Sequence, residues 1–73
     1  MEYYERLKEL RTDKDLLQKD IAKVLKIDQQ YYSNYEKGKN EFPIRHLKTL
    51  CLYYGVSADY ILGLPQDLDY PER

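Results

Sequence analysis

Cysteine occurs once, at Cys51, so no disulfide can form within the chain, and no early stretch joins a basic start to an apolar run. An intracellular, soluble protein is expected, cytoplasmic and without a membrane partner. No apolar run approaches the roughly 20 residues a membrane-spanning helix needs, because charged residues interrupt each one. Histidine also occurs once, at His46, with no second histidine and no cysteine at ligand spacing, so it reads as a surface side chain rather than a metal ligand. There is no Gly-rich phosphate loop and no pairing of a nucleophile with a base. These absences argue against an enzyme, a cofactor and a small-molecule ligand.

What is present fits one small domain. A chain of 73 residues has room for a single core that buries only about 60% of its unfolded surface, too little to enclose a substrate pocket as well. The formal charge of −1 at first argues against a nucleic-acid partner, since Lys and Arg supply most non-specific affinity for phosphate. The distribution says more. Between Gln18 and Lys48 seven basic residues face four acidic ones, a local excess of +3, whereas Thr49 to Glu72 carries four acids and no base. The chain has a basic middle and an acidic end.

Apolar residues recur at helical spacing. Tyr3, Tyr4, Leu7 and Leu10 form one stripe, predicting a first helix from Glu2 to about Arg11, followed by a polar connector from Thr12 to Asp15. Ile21, Ala22, Val24 and Leu25 predict a second helix from about Gln18 to Leu25. After Lys26-Ile27-Asp28, with Asp28 as N-cap, a third begins at Gln29, runs to Lys37 and stops at Gly38. Pro43 suits the first position of a fourth helix that turns Ile44, Leu47, Leu50, Cys51 and Tyr54 inward and ends at Gly55. Ser57 caps a short fifth helix, Ala58 to Leu62, closed by Gly63. The class is an all-α bundle of five helices over residues 1–64, with a short acidic tail, 65–73, that shows no periodic stripe.

The second and third helices are joined by only three residues, and the third has two unlike faces. Tyr32, Tyr35 and Glu36 lie on one side; Gln30, Ser33, Asn34 and Lys37 fall at i, i+3, i+4 and i+7 on the other, beside Gln29. Two short helices tied so closely expose the second one's polar face, the geometry of a helix-turn-helix. A Gln or Asn carboxamide suits base reading because it donates and accepts at once, matching the edge of adenine in the major groove. Gln29, Gln30 and Asn34 are the candidate base readers. Of the nine tyrosines, Tyr4, Tyr32, Tyr35, Tyr54 and Tyr60 fall on core stripes and read as packing, while Tyr31 flanks the polar face, where a thymine methyl or a sugar would meet it.

The segment from Gln18 to Gly38, QKDIAKVLKIDQQYYSNYEKG, resembles the helix-turn-helix of the phage-repressor and Cro-like family, the Xre-type regulators. The likeness extends from Arg6-Leu-Lys-Glu-Leu-Arg11 to Gly-Val-Ser-Ala-Asp-Tyr-Ile-Leu-Gly63. It implies a lambda-repressor-like fold and a homodimer on a double-stranded, palindromic operator, acting in a bacterium or phage as a repressor. The resemblance assigns Gln18 to a phosphate and to bracing Gln29, and makes Ala22 the small residue where two helices cross. Ser33 and Lys37 would lie close to the DNA backbone, with Lys39, Asn40 and Arg45 on neighbouring phosphates; Lys19 and Tyr31 complete the expected backbone contacts.

Arg11 follows Leu7 by four residues and so points along the apolar stripe of the first helix, while Glu36 lies beside the inward Tyr32 and Tyr35. A charge on a core-facing stripe needs a partner, and members of the family pair these positions, so an Arg11–Glu36 ion pair is expected. Two positions depart from the pattern. Lys26 stands where relatives carry Gly, implying either a positive φ or a different turn. Leu17 replaces the usual capping Ser, Thr or Asn, so the second helix is frayed or tied in another way. The rival to a DNA-binding regulator is a protein-binding module, antitoxin-like or an adaptor, docking through the Tyr-rich or acidic surface.

Overall fold

The computed structural model describes residues 1–65, 67–69 and 71. Gln66, Tyr70, Glu72 and Arg73, which belong to the expected acidic tail, lie outside the described residues. Five helices follow one another: α1 (Tyr3–Asp13), α2 (Gln18–Leu25), α3 (Gln29–Glu36), α4 (Ile44–Tyr54) and α5 (Ala58–Leu62). Among the described residues there is no strand. The core gathers Leu7 of α1, Ile21, Ala22 and Leu25 of α2, Tyr32 of α3, Leu50 and Tyr54 of α4 and Ile61 of α5, with Phe42 from the loop before α4.

The helix ends follow from local chemistry. α1 runs past Arg11 to Asp13, and the Thr12 hydroxyl, expected in the connector, instead donates back to the carbonyls of Lys8 and Glu9 within the helix. Leu17 has no side-chain acceptor to cap α2, and the Asp20 carboxylate three residues on takes the Leu17 amide at 2.8 Å. That is half of a capping box, supplied from inside the helix. Lys26 closes α2 in the left-handed region, φ 59° and ψ 43°, while the Ile27 amide donates to the Ala22 carbonyl at 3.0 Å. This is the six-to-one bond of a Schellman ending, held here by a residue with a Cβ. The Asp28 carboxylate then accepts from the Gln30 amide at 2.9 Å and starts α3. Pro43 is the N-cap of α4, one position earlier than expected; its carbonyl accepts from the amides of His46 and Leu47.

Four side chains lie differently from the expected stripes. Ile44 is 82% exposed, whereas His46 is 7% exposed. α4 is rolled so that His46, Leu50 and Tyr54, spaced four residues apart, form the buried row. His46 is accommodated because its ring meets Phe42 (5.9 Å between centroids) and Tyr35 (6.2 Å). Ser33 is also buried, since at about 100° per residue it sits beside the arc of Tyr32 and Glu36. Tyr60, expected in the core, is half exposed on α5 and lies under the Arg6 guanidinium, 5.4 Å from its ring centre.

Candidate nucleic-acid interface

The site begins with what holds α3 from behind. Arg11 donates from Nε to Glu36 Oε2 at 2.6 Å and from Nη2 to Oε1 at 3.0 Å, a two-pronged contact between α1 and α3. Its remaining nitrogen Nη1 reaches the Leu16 carbonyl at 2.8 Å, so the same guanidinium ties down the connector into α2. Gln18, the first residue of α2, donates from Nε2 to Glu36 Oε1 at 3.2 Å. One carboxylate thus joins three helices. Burial alone would raise the Glu36 pKa, but hydrogen bonds from Arg11 and Gln18, with the Tyr32 hydroxyl close by, outweigh it and hold the carboxyl below its ordinary range. The Tyr32 hydroxyl does not itself meet hydrogen-bond geometry. Arg11 is held above its ordinary value, first by its hydrogen bond to Glu36.

The outward arc of α3 is different. Gln29 and Gln30 are exposed, Asn34 is half-buried and Lys37 is exposed. The Gln30 amide nitrogen donates to Asn34 Oδ1 at 3.3 Å, so two carboxamides one turn apart orient each other in solvent. Tyr31 is 60% exposed at the margin of this face. Lys19, Lys39, Asn40 and Arg45 are exposed on the elements flanking it. Between α2 and the start of α3 lies an open cleft of about 470 Å³, lined by Lys19, Lys23, Asp28 and Gln29 among others. It puts the Lys19 and Lys23 ammonium groups beside the N-terminus of the helix that carries the carboxamides, with the Asp20 and Asp28 carboxylates lining the same cleft and balancing their charge.

Two residues expected near the DNA backbone sit against the bundle. Ser33 is buried beside Tyr32 and Glu36, only 9% exposed. The Gln18 side chain turns back to Glu36 instead of bracing Gln29. Lys23 follows Lys19 by four residues, a spacing that puts both on one side of α2, and it lines the same cleft.

Residues 4–66 match the model of a family described as the helix-turn-helix domain. The chain belongs to that family. Within it, this helix-turn-helix protein is 37% identical over 67 residues to the HTH-type transcriptional regulator YobD of Bacillus subtilis, covering 92% of this chain and 60% of that protein. It is 43% identical over 58 residues to the SPbeta prophage-derived HTH-type transcriptional regulator YonR of the same organism, covering 80% of this chain and 54% of the other. The chain therefore spans somewhat more than half the length of these two relatives. Among solved structures, a transcriptional regulator from Listeria innocua superposes with a TM-score of 0.83 at 24% identity, over 96% of this chain and 65% of that one. That likeness shows the fold, a lambda-repressor-like bundle of five helices with the helix-turn-helix in α2 and α3. Among the described residues no helix is long and apolar enough to cross a membrane.

Proposed function

We propose that this chain binds double-stranded DNA in a sequence-specific manner and regulates transcription, as a repressor, by laying α3 in the major groove. Gln29, Gln30 and Asn34 read base edges. Lys19, Lys23, Tyr31, Lys37, Lys39, Asn40 and Arg45 hold sugars and phosphates on either side, and Arg11–Glu36 fixes α3 against the bundle. The observation that carries this reading is the outward carboxamide face of α3, with Gln30 already bonded to Asn34 and lysines around it. The family and the relatives named as transcriptional regulators support it.

One such module covers only about 600–1,000 Å² of DNA, which favours two copies on a palindrome. The pairing surface would include α5 and the residues after it, where Tyr60, Leu62 and Leu64 are exposed. The site of action is the cytoplasm, on the chromosome or a prophage.

Selection of bound sequences from a random duplex pool at physiological salt tests the reading. A palindromic consensus is expected, with binding that weakens steeply as salt rises. Gln29→Ala combined with Gln30→Ala should erase the preference for that consensus while sparing residual affinity, each lost bidentate contact removing about 1–3 kcal/mol of discrimination. Equal loss on consensus and scrambled duplex would overturn base reading by these residues.

A further inference from the structure

The loop between α3 and α4, residues 37–43, carries Lys39 and Asn40 but no regular structure of its own after the turn at Gly38. Two adjacent residues of α1, far away in sequence, hold its two ends. At the near end the Tyr4 ring lies against Gly38: a Cβ added there would come within 2.6 Å of Tyr4 Cε1 and Cζ, and the backbone sits at φ 75°. At the far end the Tyr3 hydroxyl accepts the Phe42 amide at 3.1 Å. The two tyrosine rings meet edge to face, 5.5 Å apart at 80°, so each steadies the other.

The loop is fixed from α3 and α4 as well. The Lys39 amide donates to the Asn34 carbonyl at 3.0 Å. The Phe42 ring packs edge-on against Tyr35 at 5.1 Å and lies tilted against His46 at 5.9 Å. Only Lys39, Asn40 and Glu41, all exposed, span the interval between the clamps. Of the contacts that fix this interval, the two from α1 are made by tyrosines whose hydroxyl and ring have separable roles.

We propose that Tyr3 and Tyr4 are positioning residues for DNA binding: acting from α1, they hold the α3–α4 loop so that Lys39 and Asn40 meet the phosphate backbone while α3 lies in the groove. The inference rests on the DNA-binding reading above. A flexible loop would have to be ordered on each encounter, and that ordering entropy would be taken from the binding free energy. Because phosphates carry no sequence information, the effect falls equally on all duplexes.

The decisive variant is Tyr3→Phe, which keeps the ring in place and removes only the hydroxyl. In the free protein, the Phe42 amide should exchange with solvent faster than in the parent while core amides such as that of Leu50 stay protected. On duplexes of the selected and of scrambled sequence, affinity should fall by a common factor of about three to ten. The dependence on salt should become shallower, the slope dropping by up to about 1. In a background that carries both Lys39→Ala and Asn40→Ala the same change should have little further effect, which a general loss of stability would not produce.

Tyr4→Leu, which leaves an apolar side chain but no ring over Gly38, should weaken binding in the same sequence-independent way. The failures are distinguishable. A parent protein that binds neither duplex removes the DNA-binding reading and this inference with it. A parent that prefers the selected duplex, with Tyr3→Phe matching it in affinity and salt slope, overturns the positioning role alone.

Discussion

The inner and outer arcs of α3 are made from the same eight residues and are governed by different physics. On the inner arc Tyr32 is fully buried and Glu36 is held by Arg11 and Gln18 from two other helices. On the outer arc the carboxamides of Gln30 and Asn34 hold only each other. A charge withdrawn from water must be matched by donors in fixed positions, whereas a group destined for an outside partner keeps its hydrogen-bonding capacity open. The difference teaches that stability and the proposed recognition are separated by about half a turn of helix, so substitutions should divide into two classes with little overlap.

The strongest way to break this division is Glu36→Gln. It is nearly isosteric but leaves the buried Arg11 cation without its counter-charge, and losing one partner of such a pair costs about 3–5 kcal/mol. Chemical denaturation should show that loss, with the helical content of the surviving folded fraction unchanged. The pH dependence sharpens the test. The Glu36 carboxyl is held below its unfolded value, so the stability it supplies is present above the ordinary carboxylate range and is lost as pH falls through its folded pKa. Denaturation midpoints between about pH 5 and pH 2 should therefore fall less in Glu36→Gln than in the parent. Equal acid sensitivity in the two proteins would mean that other carboxylates govern acid unfolding.

The outer arc should respond in the opposite sense. Asn34→Ala removes one of the proposed readers and frees the Gln30 side chain. Discrimination between selected and scrambled duplex should drop by about 1–3 kcal/mol, while unfolding stability stays within about 0.5 kcal/mol. A loss of stability approaching that of Glu36→Gln would erase the contrast between the arcs.

The same contrast explains what the amino-acid sequence makes legible. α2 and the start of α3 were legible because their signals are local: the spacing of Ile21, Ala22 and Leu25, and the Asp28 cap. Pairing Arg11 with Glu36 needed a charge on each of two apolar stripes and a resemblance to name the partner. Where burial is set by neighbouring elements, the stripe misled. In α4 the apolar side chains point to a face that includes Ile44, but Tyr35 and Phe42 offer an aromatic wall to His46 and the helix rolls toward it. The inward turn of Gln18 has a related cause. An amide side chain beside a buried carboxylate is drawn inward by a partner that its own sequence neighbourhood does not contain.

A smaller effect lies at the junction of the two helices. Lys26 holds a left-handed conformation with φ 59°, which costs a residue with a Cβ roughly 1–2 kcal/mol. Lys26→Gly relieves that strain, but a more flexible unfolded chain offsets part of the gain. A net stabilisation of about 0.5–1 kcal/mol is expected, with unchanged discrimination between duplexes because the turn keeps its shape. Destabilisation would show that the lysine side chain contributes packing that outweighs the strain.

The smallest expected effect concerns His46, where burial, helped by the neighbouring Arg45 charge, holds the imidazole below its ordinary pKa. The folded chain thus favours the neutral ring, while the unfolded chain takes up a proton near pH 6.5. Between those two values the unfolded state binds more protons, so stability must decline as pH falls from about 6.5 toward the folded pKa. His46→Phe keeps an aromatic ring against Tyr35 and Phe42 and removes the titration. Its stability should be flat across that interval where the parent's slopes downward. Because His46 abuts Phe42, which the Tyr3 hydroxyl holds by its amide, protonation would load the far clamp of the α3–α4 loop. Any weakening of DNA binding by mild acid that disappears in His46→Phe should therefore be equal on selected and scrambled duplexes, since it would pass through phosphate contacts and leave the carboxamide face of α3 untouched.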